Sequence, residues 1–307
     1  MPSLKAIRNR IQTVNNTQKI TKAMKLVAAA RLRRAQDALL AARPYAQSLE
    51  GVVAELAARA GDESHPLLTE RPLQRVLLVP ITSDRGLAGG FNAQVTRQIE
   101  RFLKERAGGV GGPREASPNG GRSEVEPPPR VEITVVGRRG RDYLKRRKLA
   151  YGMELPAPTG PTALDQSRDL AHTLVEAFLE TKADAVFIVY NEFKSAISQT
   201  VRVEQLLPIK PTKIESTDGS LVDYAYEPNK QAVLDRILPL HVQIQVLRAL
   251  LESVASEFGA RMSAMDNATR NASDMISSLS LQYNRARQAS ITKELLEIIG
   301  GAEALKG

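Results

Sequence analysis

The chain has 307 residues, no Cys, no Trp and a net charge of +9. Without Cys there is no disulfide framework, no thiolate metal site and no thiol redox control, which suits a reducing compartment. His65, His172 and His241 lie far apart without metal-ligand spacing, no apolar run of 18 uncharged residues suggests a membrane span, and the first residues lack the apolar core of a signal peptide, so the expectation is a soluble, intracellular protein without metal or cofactor.

Residues 3 to about 60 read as one helix, with no Gly before Gly51 and no Pro between Pro2 and Pro44. Leu4, Ile7, Ile11, Val14, Thr21, Ala28, Leu32, Ala35 and Leu39 recur at steps of 3 and 4 or multiples that keep the phase. That is a narrow seam rather than a broad core face. Lys5, Arg8, Arg10, Lys19, Lys22, Lys25, Arg31, Arg33, Arg34 and Arg43, against Asp37 alone, place the whole net charge in the first 45 residues. A field this concentrated implies an acidic partner or a solvated face. The first 44 residues contain no aromatic for base stacking, and the C-terminal helix carries Glu252, Glu257, Asp266 and Asp274, so an acidic protein surface fits better than nucleic acid.

Residues 70–222 alternate between β and α patterns. "RVLLVPIT", "RVEITVVG" and "ADAVFIVYNEF" are short β-branched runs, separated by the helical stretches "AQVTRQIERFLKER" and "ALDQSRDLAHTLVEAFLET". This predicts a compact α/β domain with a mostly parallel, Rossmann-like sheet, to which "AISQTVRVEQLLPI" adds an edge strand. "SDRGLAGGFN" (Ser83 to Asn92) sits between the first strand and its helix, where many phosphate loops sit. Its spacing departs from both phosphate fingerprints: Phe91-Asn92 stand where a Walker loop needs Lys-Ser/Thr, and Arg138-Arg139 follow the second strand where a dinucleotide site needs an acid. The reading is a tight strand-to-helix crossing. Residues 108–130, rich in Gly, Pro, Ser and Glu, read as a disordered insertion, and "GRRGRDYLKRRK" (137–148) as a second basic patch. No catalytic constellation stands out.

Residues 228–303 read as a second long helix. Ile237, Leu240, Ile244, Leu247, Leu251, Val254, Phe258, Met262, Met265, Ala268, Ala272, Met275, Leu279, Tyr283 and Ala286 step by 3 or 4, Pro239 is expected to kink or restart it, and Gly300-Gly301 to end it. Two seamed helices of about 60 residues would each span roughly 85–90 Å, and the economical solution is to pair them as a long antiparallel coiled coil of the N- and C-terminal helices. The expected domains are 1–60, 70–222 and 228–303.

"SLKAIRNRIQTVNNTQKITKAMKLVAAARLRRAQ", "TSDRGLAGGFN", "YEP", "ALLESVASEFGARMSAMDNATRNASDMI" and "YNRARQASITKELLEI" together resemble the γ subunit of F-type ATP synthase, over residues 3 to about 303. The resemblance implies a non-catalytic rotor shaft. Its helices would turn inside a hexamer of three alpha and three beta subunits, and its α/β foot would rest on the membrane c-ring and hold the epsilon subunit. By motif, Met24 matches the family's coupling methionine, next to Lys25. Arg31, Arg33 and Arg34 belong to the basic face that meets the hexamer. Arg261, Arg287, Gln288, Thr292 and Glu294 match the polar set that meets the beta loops, and Tyr224 a foot residue near the c-ring and epsilon. A plain seam position would equally explain Met24, and a solvated helix end the Gln288 set. Ala88 stands where many relatives have Cys, and the absence of Cys points to a bacterial-type chain.

Overall fold

The structure, a computed structural model, describes residues 3–58, 65–106, 128–210 and 229–304. The elements run α1 (Leu4–Ala58), β1 (Arg75–Pro80), α2 (Phe91–Arg106), β2 (Arg130–Ile133), β3 (Val135–Val136), α3 (Arg138–Arg147), β4 (Glu154–Leu155), α4 (Ala163–Leu179), β5 (Ala185–Phe193), β6 (Gln199–Leu207) and α5 (Lys230–Ala304). The chain divides into two compact units, residues 1–29 with 261–307 and residues 30–260.

The unit of residues 30–260 is built on a sheet of order β2-β1-β5-β6. The first three strands are parallel and β6 is antiparallel to β5, which is the expected mostly parallel sheet with an added edge strand. The period of 2 in a strand assigns its side chains. Val76 and Leu78 face α2 and α3, where they meet Val95, Ile99, Phe102 and Leu144. Leu77 and Val79 face the other way, into a layer made by Leu170, Leu174 and Phe178 of α4, Leu234 to Leu251 of α5, and Leu39, Val53 and Leu56 of α1. Each such side chain contributes about 1.5–3 kcal/mol on burial, so this unit has a two-sided core.

Several expectations change here. "RVEITVVG" is two strands: Thr134 donates its N–H to Leu78, and β3 then stays beside the end of β1 through a single parallel bridge, Ile81 with Val136, while its other edge pairs in parallel with β4. The basic patch 137–148 is largely helix α3, whose exposed end carries Lys145, Arg146 and Arg147. Of the expected insertion, residues 107–127 lie outside the described residues and Arg130 already belongs to β2. Pro239 does not restart α5 but lies inside it, held by buried neighbours such as Leu238 and Val242; α1 runs through Pro44, as expected. Gly300-Gly301 does not end α5 either. Glycine costs only about 1 kcal/mol in a helix, and the helix runs on to Ala304. The narrow α5 seam broadens within this unit, where every residue from Ala249 to Ser256 is buried. Over one 18-residue window α5 reaches a mean hydropathy of 1.2, enough by composition to cross a membrane; the burial of Leu234 to Val254 in a protein core accounts for much of that apolar character.

In the unit of residues 1–29 with 261–307, α1 and α5 pair antiparallel. Arg8 donates to the Tyr283 hydroxyl at 2.6 Å, the Thr21 and Thr269 hydroxyls meet at 2.8 Å, and Lys25 meets Asp266 at 2.5 Å. A rise in number along α1 is matched by an equal fall along α5. The seam residues Ile7, Thr21, Ala28, Met265, Ala272 and Leu279 are buried, whereas Met275 is exposed.

Both units offer a contact that can be tested. Gly137 has φ 92°, and a Cβ there would stand 2.2 Å from the Thr82 carbonyl oxygen, which is backbone and has no room to move. Gly137→Ala is expected to lower stability by about 2–4 kcal/mol, read as a shifted urea midpoint at constant m; a shift under about 0.5 kcal/mol would contradict the contact. The Asp266 carboxyl is held below the usual carboxylate range chiefly by its hydrogen bond from Lys25, with burial opposing and Arg270 assisting. A pKa lowered on folding stabilises above the unfolded pKa, and that contribution is lost as pH falls through the folded one. An NMR titration should place the Asp266 midpoint below about 3.9, and Lys25→Ala should raise it; a midpoint that ignores the substitution would break the assignment.

Candidate subunit-contact surface

The residues that resemblance singles out fall into distinct groups. Met24 is half-buried on α1, one residue before Lys25. Lys25 is committed to Asp266, which also accepts from Arg270 at 2.7 Å, so part of the basic face is neutralised from α5. Arg261 is half-buried on α5. Arg31, Arg33 and Arg34 belong to the other unit and are exposed; Arg31 lies 5.6 Å from the centre of the Phe258 ring, a cation–π contact.

The register of the pair places Leu4, where α1 begins, beside Arg287. Beyond that point α5 continues without α1 alongside it. Gln288, Thr292 and Glu294 lie on this extension and are exposed, as is Arg287, and Ser290 donates to Glu294 at 3.2 Å. Asp266, the partner of Lys25, and Glu294 are separated by roughly 40 Å of helix. The structure therefore does not bring Met24 and Lys25 together with the Gln288 set. Tyr224 lies outside the described residues.

A feature that motif reading passed over lies on the same extension. Ile291, Leu295, Leu296, Ile298 and Ile299 are 44–68% exposed. The seam phase ends at Ala286, and after it "SITKELLEII" is apolar on several sides of the helix. That loss of phase is the signal that could have found it. Apolar side chains grouped this densely on a helix end suit a surrounding surface better than bulk water.

The glycine turn is a crossing. Ser83 donates its N–H to Asn92 at 3.0 Å and its hydroxyl to the Arg85 carbonyl at 2.7 Å, and Asn92 Nδ2 donates to Ser83 Oγ at 2.8 Å. The Asp84 carboxylate accepts the N–H groups of Arg138 and Ala157 at 2.9 and 3.2 Å. Leu87 and Gly89 take positive φ, 65° and 53°. These contacts of Ser83, Asp84 and Asn92 tie β1 to α2 and α3. Among the described residues, no group of three or more His, Cys, Asp or Glu could hold a metal ion.

Comparison with known proteins accounts for this arrangement. A family profile described as ATP synthase matches residues 3–305. An ATP synthase gamma chain from an Anaeromyxobacter species is 52% identical over the full length of both chains, and one from Geobacter metallireducens is 47% identical, again over both full lengths. Among solved structures, the central stalk and c-ring of the Tetrahymena thermophila mitochondrial ATP synthase matches with a TM-score of 0.55 at 26% identity, over 81% of this chain and 99% of that one. The rotor of the Euglena gracilis mitochondrial ATP synthase matches with a TM-score of 0.60 over 94% and 98%, at 22% identity, which speaks to fold alone. The chain belongs to the ATP synthase gamma-chain family.

Proposed function

We propose that this chain is the central rotor shaft of an F-type ATP synthase, transmitting torque between a membrane c-ring and a catalytic hexamer of three alpha and three beta subunits. The observation that carries the reading is the end-to-end likeness to bacterial gamma chains. The exposed apolar end of α5, projecting past α1, supports it. The chain is a non-catalytic subunit and the nucleotide chemistry belongs to the hexamer. In this reading residues 1–60 and 228–303 are the shaft, 70–222 the foot on the c-ring and epsilon subunit, and one copy serves each complex. The protein is peripheral to the membrane through the c-ring, at the cytoplasmic face of the bacterial plasma membrane, and ion flow through the ring drives ATP synthesis.

A shaft needs contacts that form and break at every stop. Surface ion pairs are worth only about 0–1 kcal/mol each, so Arg31, Arg33 and Arg34 in one unit, and Arg287 in the other, can each grip acidic loops without locking to them. Gln288, Thr292 and Glu294 offer replaceable hydrogen bonds in the same role, and Arg261 belongs to this set. Met24, placed by motif at the coupling position, offers an uncharged contact beside a lysine that Asp266 already holds. Tyr224 is assigned to the foot near the c-ring and epsilon by motif.

The test uses the absence of Cys. Lys145→Cys on α3 gives a single attachment point for a bead on the complete, reconstituted complex. ATP should drive one-directional rotation with three stops per turn, and free alpha–beta hexamer lacking this chain should carry no bead; a bound bead that turns in both directions during ATP hydrolysis would overturn the reading. Met24→Lys is expected to leave assembly intact and to lengthen dwells by up to about fivefold, the worth of one added surface ion pair, with fewer protons pumped per ATP hydrolysed. An unchanged pumping ratio would remove Met24 from the coupling surface.

A further inference from the structure

Strand β5 has a partner on each edge only as far as Val189. On the β1 side Val189 is the last to be paired: its carbonyl accepts the Ile81 N–H at 2.8 Å, one residue past the end of β1. Alternate residues of a strand point their backbone groups to the same edge, so Asn191 and Phe193 present theirs where β1 no longer runs. Buried backbone groups must find partners, and α5 supplies them. Ser256 Oγ donates to the Asn191 carbonyl at 2.9 Å, and Glu252 Oε2 accepts the Phe193 N–H at 2.6 Å. One turn earlier, Arg248 Nη2 lies 3.4 Å from both the Tyr190 hydroxyl and Glu204 Oε2, and Tyr190 donates to that same carboxylate at 2.8 Å.

Arg248, Glu252 and Ser256 are spaced by four residues, hence on one face of three successive turns. Ser256 and Asn191 are fully buried and Glu252 is 9% exposed. Burial raises the Glu252 carboxyl's pKa, and the Phe193 N–H works against that rise. Packing is tight one turn further on: a Cβ on Gly259 would stand 3.3 Å from Ala196 Cα, in the β5–β6 turn, and 3.3 Å from the Phe193 ring. A buried carboxylate is costly where apolar packing alone would hold a helix to a sheet. Apolar contact is non-directional and permits a helix to roll; hydrogen bonds weaken steeply with angle and resist it.

We infer that Glu252 and Ser256, with Arg248 before them, form a torsional lock that continues the sheet edge of β5 with α5 side chains, so that the sheet and the helix turn as one body when the shaft is loaded. This rests on the rotor reading above, and it makes Glu252 and Ser256 positioning residues for torque transfer.

The experiment uses the complete reconstituted complex with the bead at Lys145→Cys, comparing the unaltered lock with Ser256→Ala, Glu252→Gln and Glu252→Leu. The readout is the angular spread of the bead while the motor is stalled, together with thermal stability of the complex and protons pumped per ATP. Ser256→Ala and Glu252→Leu should widen the angular variance by about twofold or more, since the first leaves the buried Asn191 carbonyl unpaired and the second removes the acceptor of the half-buried Phe193 N–H. Glu252→Gln keeps an acceptor oxygen and should restore most of the stiffness. An unchanged angular variance in Ser256→Ala, even with a lower melting temperature, would reduce the contacts to ordinary packing and overturn the lock. If Glu252→Leu fails to assemble, Ser256→Ala, which removes one oxygen, decides alone. A bead that does not rotate with the unaltered lock would bring down the rotor reading and the lock with it. Rotation with equal spread in every variant would overturn the lock only.

Discussion

Strand β5 carries the unit of residues 30–260. It lies in the interior of the sheet, parallel to β1 on one edge and antiparallel to the nine-residue β6 on the other. Its side chains feed both layers of the core: Phe187 and Val189 on the α2 side, Val186, Ile188 and Tyr190 on the side of α4, α5 and α1. A strand in that position has to satisfy backbone groups along its whole length. Where β1 ends, the constraint passes to α5, and this explains a glutamate and a serine, Glu252 and Ser256, in a stretch of helix otherwise buried mostly among Leu, Val and Ala. Ser256 and Glu252 would be unfavourable in an apolar layer without a strand end to meet.

The two units are stabilised differently. The sheet unit has large apolar side chains on both faces, from Ile99 and Phe102 to Phe178 and Leu238. The unit of residues 1–29 with 261–307 is a helix pair with small side chains at its seam, Ala28 and Ala272 among them, and a few polar contacts across it. Small residues bring two helices close but bury little area, so directional contacts such as Thr21 with Thr269 set the register. Deep interlocking knobs would stiffen the pair while leaving little on its outer surface. Here the outer surface keeps Ile20, Leu26 and Val27 exposed on α1.

Much of the fold was legible in the sequence because periodicity is a local signal. Ile7, Ala28, Leu32, Ala35 and Leu39 were placed on the seam by steps of 3 and 4, and all are buried. The strands and the helices between them followed from β-branched runs alternating with amphipathic ones. What escaped has non-local causes. Nothing in "RVEITVV" reveals a second partner; past Thr134 the strand keeps Thr82 as a donor to Val136 on one edge, while Val135 donates to Met153 on the other. The all-round burial of α5 from Ala249 to Ser256 depends on the sheet lying against it, which a heptad pattern does not reveal. A glutamate in a helix reads as solvated, and only the end of β1 makes Glu252 a buried acceptor. Of the contact surface, resemblance supplied the residues, while the structure separated Met24 and Lys25 on α1 from the Gln288 set at the far end of α5 and drew attention to the apolar end beside the latter.

The glycine turn shows how similar sequences can serve opposite purposes. A phosphate loop leaves its backbone N–H groups and small side chains open to a ligand. In this chain the same strand-turn-helix layout is closed from within: Asn92 returns to Ser83, Asp84 reaches Arg138 and Ala157, and a side chain at Gly86 would press on the Arg139 guanidinium. The difference lies in which polar groups the rest of the fold brings to the turn. A domain that carries mechanical load benefits from a crossing tied to two helices, because each tie removes a hinge between β1 and its neighbours. The architecture familiar from nucleotide-binding sheets is here consistent with stiffness as its purpose, and the hydrogen bonds of the turn are where that difference is written.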